Sequence, residues 1–375
     1  MNKTFHIFTY GCQMNKSDSE IIAGLLTEEG LYSELADPNL ADILIFNSCA
    51  IRENAENRVF NRMQEFNHKR KKKSSNQIIV LAGCIPQYEK ENILKKYPFI
   101  NLIIGPNTFE FLPQLLSQVN SQSALHLAEK KNTNFVSKTI LRTSNDQAWI
   151  PIMYGCDNFC SYCIVPYTRG REASRKKEDI FKEIEQLKDT KYSKIMLLGQ
   201  NVNSYGKNLY DNYDFADLIT DIQKLDHIRT IDFLTSHPKD MTSKLILTLA
   251  NNSKVGREIH FPLQAGDDEI LKAMNRHYTY AQYKALVEEI RKHIPNAYIS
   301  TDLIVGFPGE TEEQFQNSIK AVKELSFYRV ISSAYSPRKG TVAASMPNQI
   351  DKEEKHRRLL LLQGTISKFA FAQKK

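Results

Sequence analysis

The stretch WIPIMYGCDNFCSYC, residues 149–163, joins an apolar run to three closely spaced cysteines. Its first seven residues are typical of a buried strand, and Cys156, Cys160 and Cys163 follow in a C-x3-C-x2-C loop. Five more apolar runs follow, each separated from the next by a helical pattern: SKIMLLGQ, IRTIDFLTS, REIHFPLQ, AYISTDLIVGF and YRVISSAYS. Six such units predict a partial (β/α)6 barrel, whose functional face lies at the carboxyl ends of its strands.

The residues before this barrel predict a separate α/β domain. The apolar runs FHIFTY, ADILIFNSC and QIIVLAGC alternate with helical patterns, which favours a parallel sheet covered on both faces. The first helix is expected to begin at Ser17 or Ser19. Residues 121–146 are rich in Ser, Asn, Lys and Thr and are interpreted as a linker or rim segment. We therefore predict an N-terminal domain over residues 1–141 and a barrel over residues 142–375.

Two sets of three cysteines carry the predicted chemistry. Three thiolates in one loop can hold three irons of a [4Fe–4S] cubane and leave the fourth iron open to a substrate. A zinc site is the alternative, but it usually needs a fourth ligand and paired C-x2-C spacings. The other cysteines, Cys12, Cys49 and Cys84, each end a predicted strand. Parallel strands end at one edge of a sheet, so these three are expected to converge there, unless they are ordinary buried cysteines.

Composition limits the class of protein. The 375 residues are 41% hydrophobic and 25% charged, as in globular proteins, and the net charge is +7. No apolar run reaches the roughly 20 residues of a membrane helix, and the N-terminus lacks the features of a signal peptide, so we expect a cytoplasmic protein without membrane contact. The positive charge allows a nucleic-acid partner or reflects a biased composition. The basic run HKRKKKSS, residues 68–75, is either a solvated helix end or a segment that attracts phosphates.

Several motifs resemble known families. The cysteine loop resembles that of the radical S-adenosylmethionine superfamily, C-x3-C-x-aromatic-C, with Tyr162 in the aromatic position. Over nearly the whole chain, the motifs resemble the methylthiotransferases of that superfamily: YGCQMNKSDSE, FNSCAIRENAENR, LAGCIPQ, GCDNFCSYCIVPYTRGREASR, LLGQNVNSYG, FPLQAG and STDLIVGFPGET. Gln13 and Met14, supported by Ile51, Arg52 and Glu53, are most similar to the MiaB branch, which modifies isopentenylated adenosine at position 37 of tRNA.

The resemblance implies an enzyme with two [4Fe–4S] clusters and two molecules of S-adenosylmethionine. Cys12, Cys49 and Cys84 would hold an auxiliary cluster, and Cys156, Cys160 and Cys163 the radical-forming one. One S-adenosylmethionine would methylate a sulfur of the auxiliary cluster. The second would yield a 5′-deoxyadenosyl radical that removes hydrogen near carbon 2 of the adenine before the methylthio group is transferred. The alternatives are modification of threonylcarbamoyladenosine in tRNA, modification of a ribosomal-protein aspartate, or a non-catalytic iron–sulfur relic that binds RNA.

Further site residues are expected from the resemblance, from positions at strand ends and from local positive charge. The residues expected to contact S-adenosylmethionine are Tyr162, Gln200, Asn201, Ser236, Gln264 and Asp302, although each could be an ordinary packing, strand-end or capping residue. The residues expected to meet tRNA phosphates are Lys69, Arg70, Lys71, Arg169, Arg171 and Arg175, with surface solvation or an ion pair to Glu172 as the alternative for the last three. We also expect a monomer, an external electron donor such as flavodoxin or ferredoxin, and no C-terminal TRAM domain, because the chain stops at Lys375.

Overall fold

The structure is a computed structural model that describes residues 3–28, 30, 32–50, 53–119, 124–128 and 139–369, with only the backbone of residues 53–55. The chain packs as two compact units. Unit 1 comprises Met1–Cys156 and Ile164–Glu183, and unit 2 comprises Asp157–Cys163 and Ile184–Lys375. The predicted boundary between residues 141 and 142 stays a prediction. Ile51 and Arg52, which supported the MiaB branch, lie outside the described residues, as does the side chain of Glu53.

Unit 1 is built on a six-stranded sheet whose neighbouring strands all run parallel, in the order β2-β1-β3-β4-β5-β6. The strands are β1 (Lys3–Thr9), β2 (Tyr32–Glu34), β3 (Ile43–Ser48), β4 (Ile78–Gly83), β5 (Leu102–Ile104) and β6 (Ala124–His126). The helices between and after them are α1 (Gln13–Thr27), α2 (Glu53–Lys72), α3 (Cys84–Glu89), α4 (Asn92–Lys96) and α5 (Leu112–Gln118).

Both faces of this sheet are buried, as the uninterrupted apolar strands predict. In β3, Ile43 and Ile45 pack into one apolar core, while Leu44 and Phe46 pack into the other. Successive side chains of a strand point to opposite faces, so a strand buried on both sides needs apolar residues at every position. The rest of unit 1 comprises β7 (Gln147–Pro151), β8 (Met153–Tyr154), β9 (Ala173–Ser174), α6 (Val165–Arg169) and the start of α7 (Lys177–Glu185).

The predicted start of the first helix is wrong. Helix α1 begins at Gln13, directly after Cys12, rather than at Ser17 or Ser19. Ser17 and Ser19 are instead buried in its second turn. The prediction failed because a run of small polar residues usually caps a helix, whereas here the run faces the protein interior.

Unit 2 contains parallel strands alternating with helices. Its strands are β10 (Lys194–Leu198), β11 (Thr230–Phe233), β12 (Glu258–His260), β13 (Tyr298–Val305) and β14 (Arg329–Ala334). Its helices are α8 (Phe215–Ile222), α9 (Ser243–Asn251), α10 (Asp268–Ala273), α11 (Tyr280–His293), α12 (Glu312–Leu325) and α13 (Lys352–Phe369). Strand β10 pairs with β11, and β13 pairs with both β12 and β14, all in parallel. These five strands and β7 of unit 1 correspond in sequence to the six apolar runs predicted as strands.

None of the helices in the described ranges is long and apolar enough to cross a membrane.

Candidate functional site

The first three cysteines lie at the carboxyl ends of three strands that are neighbours in the sheet of unit 1. Cys12 follows β1, Cys49 follows β3, and Cys84 begins α3 directly after β4. Their loops approach closely: a Cβ atom added to Gly11 would lie 2.9 Å from the Cβ of Cys49. The structure thus brings together, at one sheet edge, residues that are far apart in sequence.

Two buried asparagines hold the loops of Cys12 and Cys49 together. The Oδ1 of Asn15 accepts hydrogen bonds from the backbone N–H of Cys12 at 3.3 Å and from its thiol at 3.5 Å. The Nδ2 of Asn15 donates to the carbonyl of Ser48 at 3.1 Å, next to Cys49. Asn47 donates in return to the carbonyl of Asn15 at 2.8 Å. These bonds fix the helix that starts after one cysteine against the strand that ends at another.

A buried ion pair faces the same thiols. The guanidinium of Arg169, in α6, donates to the carboxylate of Asp18 at 2.6 Å, and both side chains are buried. Burial acts to lower the pKa of Arg169, but Asp18 and the thiol of Cys84 outweigh it and hold that pKa well above its ordinary value. Arg169 is therefore a permanent cation beside the thiols.

The chemistry of these donors fits an iron–sulfur cluster. Burial raises the pKa of the Cys84 thiol, with Arg169 opposing that rise, so iron would bind by displacing a proton. Within the described ranges, no three His, Cys, Asp or Glu side chains are grouped to hold a single metal ion. A cubane places its cysteine ligands on different irons, so its ligands are more widely spaced than those of one ion. Three thiols on separate strand ends beside a fixed cation match that requirement.

The second set of cysteines lies in the loop after β8. Cys156 and Cys160 are buried and Cys163 is partly exposed, and all six cysteines of the chain are thiols rather than disulfides. The N–H of Cys163 donates to the carbonyl of Cys160 at 2.8 Å, which makes the second half of the loop a tight turn. The guanidinium of Arg276 donates to the Sγ of Cys160 at 3.4 Å. Three thiols in one loop beside a cation again suit an anionic cluster.

The predicted cofactor residues of unit 2 lie near the carboxyl ends of its strands. Gln200 and Asn201 follow β10, Ser236 follows β11 and Gln264 follows β12, whereas Asp302 lies within β13 rather than at its end. Backbone bonds join the neighbours: the N–H of Gln264 donates to the carbonyl of Asp302 at 2.8 Å. Tyr162, in the cysteine loop, is partly exposed.

Four of these side chains share one property that ordinary strand-end residues lack. The Oε1 atoms of Gln200 and Gln264, the Oδ1 of Asn201 and the Oγ of Ser236 are buried and make no hydrogen bond within the described chain. Leaving a buried polar atom without a partner costs about 1–3 kcal/mol. Several such atoms at neighbouring strand ends indicate a place where a polar ligand completes the bonding. Asp302 differs, because its carboxylate pairs with the Nε2 of His260 at 3.1 Å.

Sequence reasoning missed two residues of this group. Among the described residues, both polar atoms of the Asn203 amide are buried without a hydrogen-bond partner, and so is the Nε2 of His237. The Nδ1 of His237 accepts the N–H of Lys239 at 3.3 Å, so the ring proton is on Nε2. Burial and the charge of Arg276 lower the pKa of His237 to about 2, which keeps the ring neutral. The sequence did indicate these positions: Asn203 lies two residues after Asn201, and His237 directly follows Ser236.

Of the six residues expected to contact tRNA phosphates, three are arginines bonded within the protein and three keep exposed side chains. Arg169 and Arg175 are buried and bonded to carboxylates, the latter to Glu183 at 2.7 Å, which argues against contact with RNA. Arg70 is partly buried and donates to the carbonyls of residues 77 and 99 at 2.9 and 3.1 Å, so it is a structural residue. The others, Lys69, Lys71 and Arg171, keep exposed surface.

The basic run itself forms the carboxyl end of α2, where positive side chains interact favourably with the helix dipole. That position leaves Lys71, Lys72 and Lys73 exposed, where a polyanion could reach them.

The chain is similar to two family models and to many curated proteins. The "Radical SAM superfamily" model matches residues 150–322, and the "Uncharacterized protein family UPF0004" model matches residues 4–105. A tRNA-2-methylthio-N(6)-dimethylallyladenosine synthase of Dictyoglomus thermophilum is 46% identical over 94% of this chain and 80% of its own length. Proteins of the same name from Caldicellulosiruptor saccharolyticus and Clostridium botulinum are each 43% identical, over 98% and 99% of this chain and 79% and 83% of their own lengths.

Solved structures support the fold alone, because their sequences are distant. The radical S-adenosylmethionine methyltransferase TsrM from Kitasatospora setae, with cobalamin and a [4Fe–4S] cluster bound, superposes with a TM-score of 0.66 at 12% identity. The superposition covers 92% of this chain and 77% of the TsrM chain. The predicted fold class, a parallel α/β domain followed by a radical S-adenosylmethionine barrel, is confirmed.

Proposed function

The chain belongs to the family of tRNA-2-methylthio-N(6)-dimethylallyladenosine synthases, which are radical S-adenosylmethionine enzymes, and we propose that it adds a methylthio group to carbon 2 of N6-isopentenyladenosine at position 37 of tRNA. The family and the enzyme class expected from the motifs are confirmed by the relatives. The observation that carries the proposal is the similarity over nearly the whole chain, including both parts that hold the cysteines.

The proposed cluster ligands follow the two sets of cysteines. Cys12, Cys49 and Cys84 would hold the auxiliary cluster, supported by their convergence at one sheet edge beside Arg169. The radical-forming cluster would be held by Cys156, Cys160 and Cys163. When bound, these cofactors supply one-electron reduction of S-adenosylmethionine and the sulfur to be transferred, chemistry that no side chain offers.

The protein's own contribution is to bind and orient. Asn15 and Asn47 hold the segments that carry Cys12 and Cys49 together. The buried side-chain oxygens of Gln200, Asn201, Ser236 and Gln264, which have no hydrogen-bond partner among the described residues, support a site for the polar groups of S-adenosylmethionine, with Tyr162 and Asp302 as further members. Because an oxygen without a donor is costly, these acceptors favour ligand groups that carry N–H or O–H bonds, such as an amino group or ribose hydroxyls.

We also propose contacts with tRNA, a division into domains and an electron donor. Lys69, Lys71 and Arg171 would contribute to phosphate binding, as supported by their exposure. We place the auxiliary cluster in a domain over residues 1–141 and the radical chemistry in residues 142–375, in line with the two family models. We further propose that the protein acts on its tRNA substrate as a cytoplasmic monomer. It would take electrons from an external donor such as flavodoxin or ferredoxin.

Anaerobic reconstitution followed by an assay tests the proposal. We expect about eight irons per chain and, with reductant, S-adenosylmethionine and isopentenylated tRNA, a 2-methylthio nucleoside detected by mass spectrometry. A matched tRNA carrying threonylcarbamoyladenosine and a ribosomal-protein peptide are the controls for the other branches. A product from either control instead would reassign the substrate. Four irons, or 5′-deoxyadenosine without a methylthiolated product, would contradict the proposed reaction.

A further inference from the structure

Residues 273–278, which we call the strap, are far from the second set of cysteines in sequence. Hydrogen bonds join the strap to the loop that carries those cysteines. The N–H of Ser161 donates to the carbonyl of Met274 at 3.1 Å, and its hydroxyl donates to the carbonyl of Ala273 at 2.7 Å. The amide of Asn275 donates to the carbonyls of Asn158 and Phe159 at 3.1 and 3.0 Å. Four hydrogen bonds therefore fix the backbone of the loop between Cys156 and Cys163 before any ligand is bound.

The strap also places a cation on one thiol. The Arg276 guanidinium uses all three of its nitrogens: Nε donates to the hydroxyl of Tyr278 at 2.8 Å, one terminal nitrogen to the carbonyl of Pro262 at 3.0 Å, and the other to the Sγ of Cys160 at 3.4 Å. The side chain is 4% exposed, so its orientation is fixed by packing as well as by these bonds.

Arg276 differs from three other buried arginines in having no carboxylate partner among the described residues. Arg169, Arg175 and Arg358 each donate to a buried carboxylate. No Asp or Glu in the described ranges forms an ion pair with Arg276, whose partners are a phenol, a carbonyl and a thiol. Burial acts to lower the pKa of Arg276, but Tyr278, Tyr162 and Cys160 outweigh it and raise that pKa. A buried cation without a carboxylate is costly, and a bound anion at the thiol would offset that cost.

We propose that Arg276 is a positioning residue that orients Cys160 and raises the reduction potential of the cluster bound by Cys156, Cys160 and Cys163. This inference rests on the proposed function. One-electron reduction by an external low-potential donor adds one negative charge to the cluster. A fixed cation hydrogen-bonded to a ligand sulfur stabilises the reduced form more than the oxidised form, and burial weakens the screening. The cluster then accepts an electron more readily than its thiolates alone would allow.

Substitution of Arg276 tests this inference on the full chain. In a chain with Cys12, Cys49 and Cys84 all replaced by alanine, only the second site can bind a cluster, so its potential is read without overlap by a redox titration followed by electron paramagnetic resonance. We expect Arg276→Met to reduce the equilibrium constant for reduction at least tenfold, a shift of about 59 mV to lower potential, and Arg276→Lys to recover part of it. Arg291→Met is the matched control, because Arg291 donates to the carbonyls of residues 325 and 326 and, among the described residues, to no thiol.

A second measurement needs no substitution at Arg276 and so holds even if the methionine variant does not fold. In the same alanine background, with arginine labelled by ¹⁵N in the guanidinium, the reduced cluster should show a ¹⁵N coupling in electron spin-echo modulation. Absence of that coupling, or a loaded Arg276→Met chain with the parent potential, overturns the inference. Failure of the parent chain to bind any iron would instead overturn the proposed function.

Discussion

Arg169→Met separates two interpretations of one residue: contact with tRNA phosphate, expected from the sequence, and support of the first set of cysteines, favoured by the structure. The substitution would leave Asp18 buried without its partner, and both side chains of that pair are no more than 5% exposed. Breaking a buried pair on one side costs about 3–5 kcal/mol, because the remaining charge is uncompensated. We expect a loss of that size in the free energy of unfolding of unit 1.

A double-mutant cycle gives the magnitude a second check. Asp18→Leu with Arg169→Met removes both charges, and buried pairs replaced by apolar side chains are often neutral in stability. The coupling energy should therefore be at least as large as the loss in Arg169→Met alone, about 3–5 kcal/mol. Hydrogen exchange of the amides in α1 and β4, measured on the full chain, reports the opening free energy of this region without assuming that both units unfold together. A single variant as stable as the parent would refute the reasoning.

The functional consequence distinguishes the two interpretations. With Arg169 gone, the thiol of Cys84 loses the cation that opposes the rise of its pKa, so iron at the first site should fall while iron at the second site remains. The dependence of tRNA affinity on salt should not change. Arg171→Met is the matched variant on the exposed surface, and it should keep the iron content and lower the salt slope by about 1. If Arg169→Met instead kept the iron content and lowered the salt slope, Arg169 would be a phosphate contact.

Three further outcomes follow from the same structure. Cys12→Ala should still yield 5′-deoxyadenosine but no methylthiolated nucleoside, whereas Cys156→Ala should yield neither, as measured by mass spectrometry of the products. Replacing Lys69 and Lys71 together with glutamine should lower the salt slope of tRNA binding by about 1–2, with Lys244→Gln as the control, and an unchanged slope would contradict the phosphate contact. Burial acts to raise the pKa of Glu183, but Arg175 and Arg142 outweigh it and lower that pKa, so its stabilisation is present above the ordinary value and is lost as the pH falls. Glu183→Gln should therefore flatten the loss of stability as the pH falls below about 4.5, as followed by thermal unfolding.

The sequence predicted well whatever depends on local pattern. Apolar runs gave the strands, and the parallel arrangement then placed Cys12, Cys49 and Cys84 at one edge, because neighbouring parallel strands end together. The same reasoning found Gln200 and Ser236, whose side-chain oxygens make no hydrogen bond to any described residue. In each case the residue type and its position at a strand end were enough.

Contacts between distant residues could not be predicted in this way. Arg169 lies 151 positions from Asp18, and Arg276 lies 116 positions from Cys160. An arginine next to a cysteine motif looks like a surface residue when only neighbours in sequence are considered. Whether it is buried depends on which helix covers it, and that is a property of the tertiary packing rather than of a local pattern.

The counter-ion is the main difference between the two cysteine sites, and it gives one more prediction. Each site has a buried arginine facing a thiol, but Asp18 balances Arg169, whereas Arg276 pairs with no carboxylate in the part of the chain that the structure describes. Asp18→Asn would keep an acceptor for Arg169 and remove the balancing charge. In a chain with Cys156, Cys160 and Cys163 replaced by alanine, this substitution should raise the reduction potential of the remaining cluster. Each tenfold gain in the equilibrium constant of reduction corresponds to a rise of about 59 mV. Ser17→Ala, a neutral change in the same helix turn, should leave the potential unchanged. If both variants behave alike, the charge of Asp18 does not act on the cluster, and the asymmetry between the two sites has no electrostatic consequence.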